Sequence, residues 1–384
     1  MLLENKKVAI VGGGPGGLTL ARLLQVKGAD VKVYERDLNK DVRQQGATLD
    51  LHDESGLKAL PAAGLMDAFR ENFRPGADKM RIVDEHATIF LDDHSTKPEE
   101  DFGNEHFRPE IDRGPLRNIL LESLQPNTVI WDSQFQTMSS VGEDWQLEFK
   151  NGTSAMADIV IGADGANSRI RPFITPIQSF YTGVSAVEAN VYDSATTVPR
   201  THELLKGGKI FAFGGGKLLV VSAKGDGSLT FYSSLRKEED WAKNSGIDFS
   251  DKVQVLAWFQ QDFAEWDPLW YELFENAGSS FVQRPVYSMP LDQTWDTLPN
   301  LTLLGDAAHL MPPFAGEGVN MAMLDALELS ECLTSDAFLD IRSAIAAYEE
   351  QMRARAREAT QESLENTTWM HAENAMTRML KMFA

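Results

Sequence analysis

The chain has 384 residues, 43% of them apolar and 24% charged, with a single cysteine, Cys332. That composition excludes a disordered chain, a disulfide framework and a zinc site built from clustered cysteines. With 36 basic against 57 acidic residues the net charge is -21, which repels phosphate backbones and anionic membranes, so neither nucleic acid nor membrane is an expected partner.

The first segment reads strand, turn, helix, strand. Lys7-Val8-Ala9-Ile10-Val11 is rich in β-branched residues and suits a buried parallel strand. Six residues, Gly12-Gly13-Gly14-Pro15-Gly16-Gly17, follow it. Leu18, Leu20, Ala21, Leu23 and Leu24 then give a helical stripe that stops near Gly28, and Val31 to Glu35 forms the next strand. This βαβ start predicts a parallel sheet. Residues 49–72 read as helical with interruptions, and Met80–Val83 with Thr88–Leu91 as a hairpin. Asp112 is placed to cap a helix through Leu116, Ile119 and Leu120. Strands follow at Thr128–Trp131, Trp145–Phe149 and Asp158–Gly162. From about 180 to 290 the pattern changes to β alternation at 209–213, 218–221 and 228–232, followed by an aromatic-rich helical piece from Trp258 to Phe274. That is the mark of an inserted antiparallel sheet. Leu301–Leu304 returns to a buried strand, and the tail from about 320 is helical. No apolar run approaches the ~20 residues that span a bilayer, and cytoplasm is the expected location.

Three motifs carry chemistry. Gly12, Gly14 and Gly17 sit between a strand and a helix. Gly12 permits the tight turn, Gly14 lets the backbone approach a pyrophosphate, and Gly17 lets helix and strand pack closely. Glu35 closes the second strand, placed to accept hydrogen bonds from a ribose diol, with Arg36 beside it as a further cofactor-binding candidate. This fingerprint alone does not separate NAD from FAD. The second motif decides. Asp306, after a buried strand, can take ribityl hydroxyls, and the helix start at Gly316 and Gly318 can offer backbone N–H groups to the flavin edge where charge collects on reduction. Phe314 lies beside that edge and could pack on a ring substrate, whereas His309 reads as structural. The third motif, Asp164-Gly165 with Ser168 and Arg171, ends a strand in a charged turn. No metal site is expected, and no protein nucleophile either.

Taken in this order, the three motifs resemble the class A flavin-dependent aromatic hydroxylases of the p-hydroxybenzoate hydroxylase type. Gly46–His52, Arg108–Arg113, Thr128–Asp132 and Gly305–Asn320 resemble the tetracycline-inactivating flavin monooxygenases more specifically. The resemblance implies an α/β fold: a Rossmann-like FAD domain with a parallel sheet, an inserted antiparallel β-sheet substrate domain, and a C-terminal bridging helix. Its boundaries are expected at 1–75, 103–178 and 285–330 for FAD, 76–102 and 179–284 for substrate, and 331–384 for the tail. It implies that Asp50, Arg113, Asp164 and Asp306 hold FAD and that Arg43 meets NADPH. It further implies that NADPH reduces FAD, O2 adds at C4a, and the hydroperoxide hydroxylates an aromatic or polycyclic small molecule. Glu188, Lys209, Thr230 and Tyr232 align with the substrate contacts of the tetracycline enzymes, which there are Gln, Arg and His side chains and a nearby Gly. Two other readings stand beside this one: a hydroxylase of small phenols or quinolones, and a flavin-binding protein without turnover. A monomer is expected.

Overall fold

The computed structural model describes every residue except 1, 43–46, 97, 99, 105, 279, 383 and 384. A five-stranded parallel sheet forms its base, in the order Leu301–Leu303, Ile159–Gly162, Lys7–Val11, Asp30–Tyr34 and Val129–Ile130. Val8 to Val11 and Ile159 to Gly162 are buried throughout, as an unbroken apolar run requires when both faces are covered. The helices Pro15–Val26 and Glu317–Thr334 pack against each other over this sheet. A three-stranded antiparallel sheet, Phe135–Val141, Asp144–Phe149 and Ser154–Ala157, joins the same core.

A second sheet has seven strands, in the order Val282–Ser288, Phe180–Val191, Leu229–Arg236, Lys217–Ala223, Lys209–Gly214, Met80–Asp84 and Ile89–Asp92. Its neighbours run antiparallel except Lys209–Gly214 against Met80–Asp84. Side-chain alternation divides it into two faces. Val187, Ile210, Ala212, Leu219, Val221 and Phe231 point to one side, buried under the helices Lys252–Asp262 and Tyr271–Glu275. Aromatic stacking fills that layer, with Phe259 and Phe274 centroids 4.1 Å apart. The opposite face turns toward the parallel-sheet domain.

The tail is one long helix, Ile341–Met370, opened by a capping box between Asp340 and Ser343. Its middle packs on the helix Glu317–Thr334 through Arg355, whose guanidinium meets Asp325 at 2.7 Å and Glu328 at 2.6 Å. Its end, Trp369 and Met370, packs with Ile82, Phe213 and Leu218 of the large sheet. The helix therefore bridges both units, as expected. Among the described residues no helix is long and apolar enough to cross a membrane.

Two local expectations fail. Residues 49–72 are not one interrupted helix: Leu49–Asp50 is a strand paired with Glu110–Ile111, and only Gly56–Ala63 and Met66–Asn72 are helical. Gly64, at φ 71°, ends the first of these helices in the left-handed conformation. Asp112 occupies the position before the helix Arg113–Glu122, yet its carboxylate does not cap it. It accepts instead from the Gly225 N–H at 2.8 Å and faces Arg74 at 3.6 Å, drawn across to the turn after the strand Lys217–Ala223.

Candidate flavin site

The glycine turn is built by close approach. Gly12 sits at φ 114°, and a Cβ there would lie 2.2 Å from the Ala163 carbonyl oxygen. A Cβ on Gly17 would lie 2.2 Å from the Gly12 oxygen. Gly14 differs, because a Cβ there would meet nothing within 4 Å. The backbone at Gly14 thus borders open space at the start of the helix Pro15–Val26, where the helix presents its positive end. Glu35 is buried and held: one carboxylate oxygen accepts the Gly13 N–H at 2.7 Å and the other the Asp37 N–H at 3.0 Å. Arg36 is exposed beside it, while Arg43 lies outside the described residues.

Asp164 and Asp306 end two neighbouring strands of the parallel sheet. One oxygen of Asp164 accepts the Arg169 N–H at 2.7 Å, and the other is buried with no hydrogen-bond partner. Burial pushes this carboxyl above its ordinary range. Arg171 turns elsewhere. Its guanidinium is buried and donates to the backbone carbonyls of Ala307 at 2.6 Å and Asp306 at 2.8 Å, locking the two strand ends together. Burial also pushes Asp306 up, against the pull of His309, Arg113 and Arg171. Its carboxylate accepts no hydrogen bond among the described residues. His309 donates to Asp325 at 2.6 Å inside the core, a structural role.

The helix Glu317–Thr334 starts at Gly316, φ 73°, between two carboxylates. A Cβ on Gly316 would lie 3.2 Å from Asp50, and one on Gly318 would lie 3.9 Å from Asp306. Against the upward push of burial, Lys209 and then His52 hold Asp50 well below the usual carboxylate range. His52 is fully buried between Asp50, at 3.2 Å, and Glu317, at 3.0 Å. Asn320 binds the same segment, accepting the His52 N–H at 2.9 Å and donating to the Asp50 carbonyl at 2.9 Å. Arg113 is exposed, its Nε donating to the Ala47 carbonyl at 3.0 Å.

The four substrate candidates share one face of the seven-stranded sheet. Register aligns Phe211, Val220, Tyr232 and Glu188 in one row, and Lys209, Ser222, Thr230 and Asn190 in the next. Each candidate already has a partner. Glu188 accepts from Arg284 at 2.8 Å, and Thr230 donates to Asn190 at 2.6 Å. Tyr232 accepts weakly from the Ala47 N–H at 3.4 Å, and its hydroxyl is pushed up to about 12 by burial and by Glu188. Lys209 reaches across to an ion pair with Glu110. Phe314 packs edge-on against His371, with centroids 5.1 Å apart. Sequence reasoning missed His52, Glu110, Asn320 and His371. The alternation Asp50-x-His52, which puts both side chains on one side of an extended segment, was the available signal for the first.

These residues fit a flavin dinucleotide on the structure's own terms. The glycine turn leaves room at Gly14, Asp164 has an unsatisfied buried oxygen, Asp306 awaits donors, and a long helix aims its first turn between them. A family model described as an FAD binding domain matches residues 5–363. The chain belongs to the FAD binding domain family. Monooxygenase asqM of Emericella nidulans is 31% identical, with 96% of each chain covered. The 6-hydroxynicotinate 3-monooxygenase of Pseudomonas fluorescens is 27% identical over 96% of this chain and 92% of that one. Among solved structures, Klebsiella pneumoniae HpxO complexed with FAD and uric acid matches with a TM-score of 0.76 and 21% identity, covering 98% of this chain and 92% of that one. The tetracycline destructase Tet(51) matches with a TM-score of 0.74 and 18% identity, covering 98% and 94%. The protein is an FAD-dependent monooxygenase, and its mixed α/β architecture is the one those structures share.

Proposed function

We propose that the protein hydroxylates an aromatic or polycyclic small molecule at the junction of its two sheets, using NADPH and O2. The observation that carries this reading is convergence. Gly14, Asp164, Asp306 and the helix start at Gly316 meet on one side of a junction whose other side is the sheet face bearing Glu188, Phe211 and Tyr232. The flavin supplies the redox and oxygen chemistry when bound. The chain's own work is to hold and enclose it. The glycine turn and the helix start Pro15 would take the diphosphate, Glu35 a ribose, Asp164 and Asp306 the polar chain between, and the Gly316–Gly318 turn the ring edge. Phe211, Phe213 and Phe314 form an apolar wall that keeps water from the reacting centre. Arg43 is assigned to the NADPH encounter. The expected divisions are 1–75, 103–178 and 285–330 for cofactor, and 76–102 and 179–284 for substrate. We place the protein in the cytoplasm as a monomer.

Tetracycline-type antibiotics are one polycyclic candidate, on the motif resemblance. Small phenols or quinolones are the alternative, favoured by the engagement of Lys209 with Glu110 rather than with open space. The test is a screen of both classes with purified protein, NADPH and O2. The expected result is a yellow protein whose NADPH oxidation accelerates with substrate and whose product gains one oxygen atom. NADPH consumed only to peroxide with every compound would defeat the proposal.

A further inference from the structure

We infer that His52 is a positioning residue for the flavin: an imidazolium held between Asp50 and Glu317 that neutralises the carboxylates at the start of the helix Glu317–Thr334. The inference rests on the proposed FAD site and deepens it. Its ground is geometric. Nδ1 of His52 lies 3.0 Å from Glu317 and Nε2 lies 3.2 Å from Asp50. Ionised carboxylates only accept, so both ring nitrogens must donate, and a ring that donates twice is charged. Asp50 is kept ionised by Lys209 on its other side. The ring is raised to about 9 by these carboxylates, in spite of its burial.

Charge at this place matters because of what faces it. Asp50 lies against Gly316, Asp306 against Gly318, and Glu317 is the first residue of the helix. Three carboxylates crowd the turn offered to a ring that becomes more negative on reduction. Unneutralised, they would cancel the positive helix end and oppose that reduction. The His52 ring is fully buried between the two carboxylates, and its backbone N–H is held by Asn320.

The experiment measures the two-electron potential of the FAD-loaded protein against a reference dye, for the parent chain, His52→Gln, Glu317→Gln and the double variant. His52→Gln should disfavour reduction by at least about tenfold, about 30 mV lower for two electrons. The double variant should return most of the way, because it removes the charge that His52 offsets; a merely structural role would not be rescued. An unchanged potential in His52→Gln, or an equal drop with and without Glu317, would overturn the inference while leaving FAD binding intact. Failure of the parent chain to bind FAD at all would overturn the site itself. Should His52→Gln not fold, 15N-histidine NMR of the flavin-free parent chain decides: the His52 ring must carry protons on both nitrogens near neutral pH, and a neutral ring there would refute the claim.

Discussion

Gly14 and Gly17 stand three residues apart and answer to different demands. Gly17 is required by the protein itself, since any Cβ would collide with the Gly12 oxygen at 2.2 Å. Gly14 has room for a side chain and an ordinary φ of -80°, so the fold does not ask for glycine there. In the proposed site that space is left for the cofactor. Gly17→Ala should therefore cost about 1–3 kcal/mol of stability even without flavin, from overpacking against backbone that cannot yield. Gly14→Ala should leave the melting temperature of the flavin-free chain nearly unchanged and weaken FAD binding by about tenfold or more, about 1.4 kcal/mol. Thermal unfolding with and without FAD, together with a binding titration, separates the two. Loss of stability in Gly14→Ala alone would contradict the assignment of that space.

At the scale of elements, the end of the long helix Ile341–Met370 is fastened to the large sheet by a small set of bonds. His371 donates from Nδ1 to the Thr367 carbonyl at 2.8 Å, which leaves Nε2 to accept from the Ser234 hydroxyl at 2.8 Å. Arg236 donates to the carbonyls of Thr368, at 3.0 Å, and His371, at 3.2 Å, where the helix carries its negative end. Burial lowers His371 to about 4. Because that is below the ordinary value of 6.5, the unfolded chain binds more protons between the two values. This contribution is fully present above about pH 6.5 and is lost as pH falls toward 4. Amide protection factors at the helix end, which correct for the intrinsic pH dependence of exchange, should fall as pH is lowered through that window, and His371→Asn should remove most of that fall.

Elements of this kind were unevenly legible. Lys7–Val11 and its glycine turn announce themselves, because a β-branched run, a turn and an apolar stripe agree over consecutive residues. Asp50 does not, since its two-residue strand exists only by pairing with Glu110, 60 positions away in the chain. The apolar residues that follow, Leu57 and Leu60, are three apart, as a helix would space them. The His371–Ser234 contact spans 137 positions and depends on the full length of a 30-residue helix, which no local pattern encodes.

Across the whole molecule, Lys209 carries a charge from the seven-stranded sheet to the paired strands Leu49–Asp50 and Glu110–Ile111. It stands on the seven-stranded sheet, pairs with Glu110 and faces Asp50. Its alignment with a substrate contact was readable from the order of residues, whereas its partner was not, because Glu110 arrives from a separate chain piece. Removing Lys209 leaves the buried Glu110 without its cation and Asp50 with His52 alone. Lys209→Ala should cost about 3–5 kcal/mol, the usual penalty for breaking a buried pair. Glu110→Gln in the same chain should recover part of it. Denaturant unfolding of the flavin-free protein reads both, and additive losses in the double variant would show that the pair does not act as a unit.

The parallel sheet draws its strands from widely scattered stretches: the first ends at Val11, and the strand leading to Asp306 begins only at Leu301. A ribosome adding about 5–20 residues per second therefore releases the phosphate turn about 15–60 s before the last wall of its pocket emerges. Through that interval the nascent chain has nothing with which to grip the ring. With the site as proposed, loading with FAD should be a late event in biosynthesis, and flavin supply during translation should matter less than its supply afterwards.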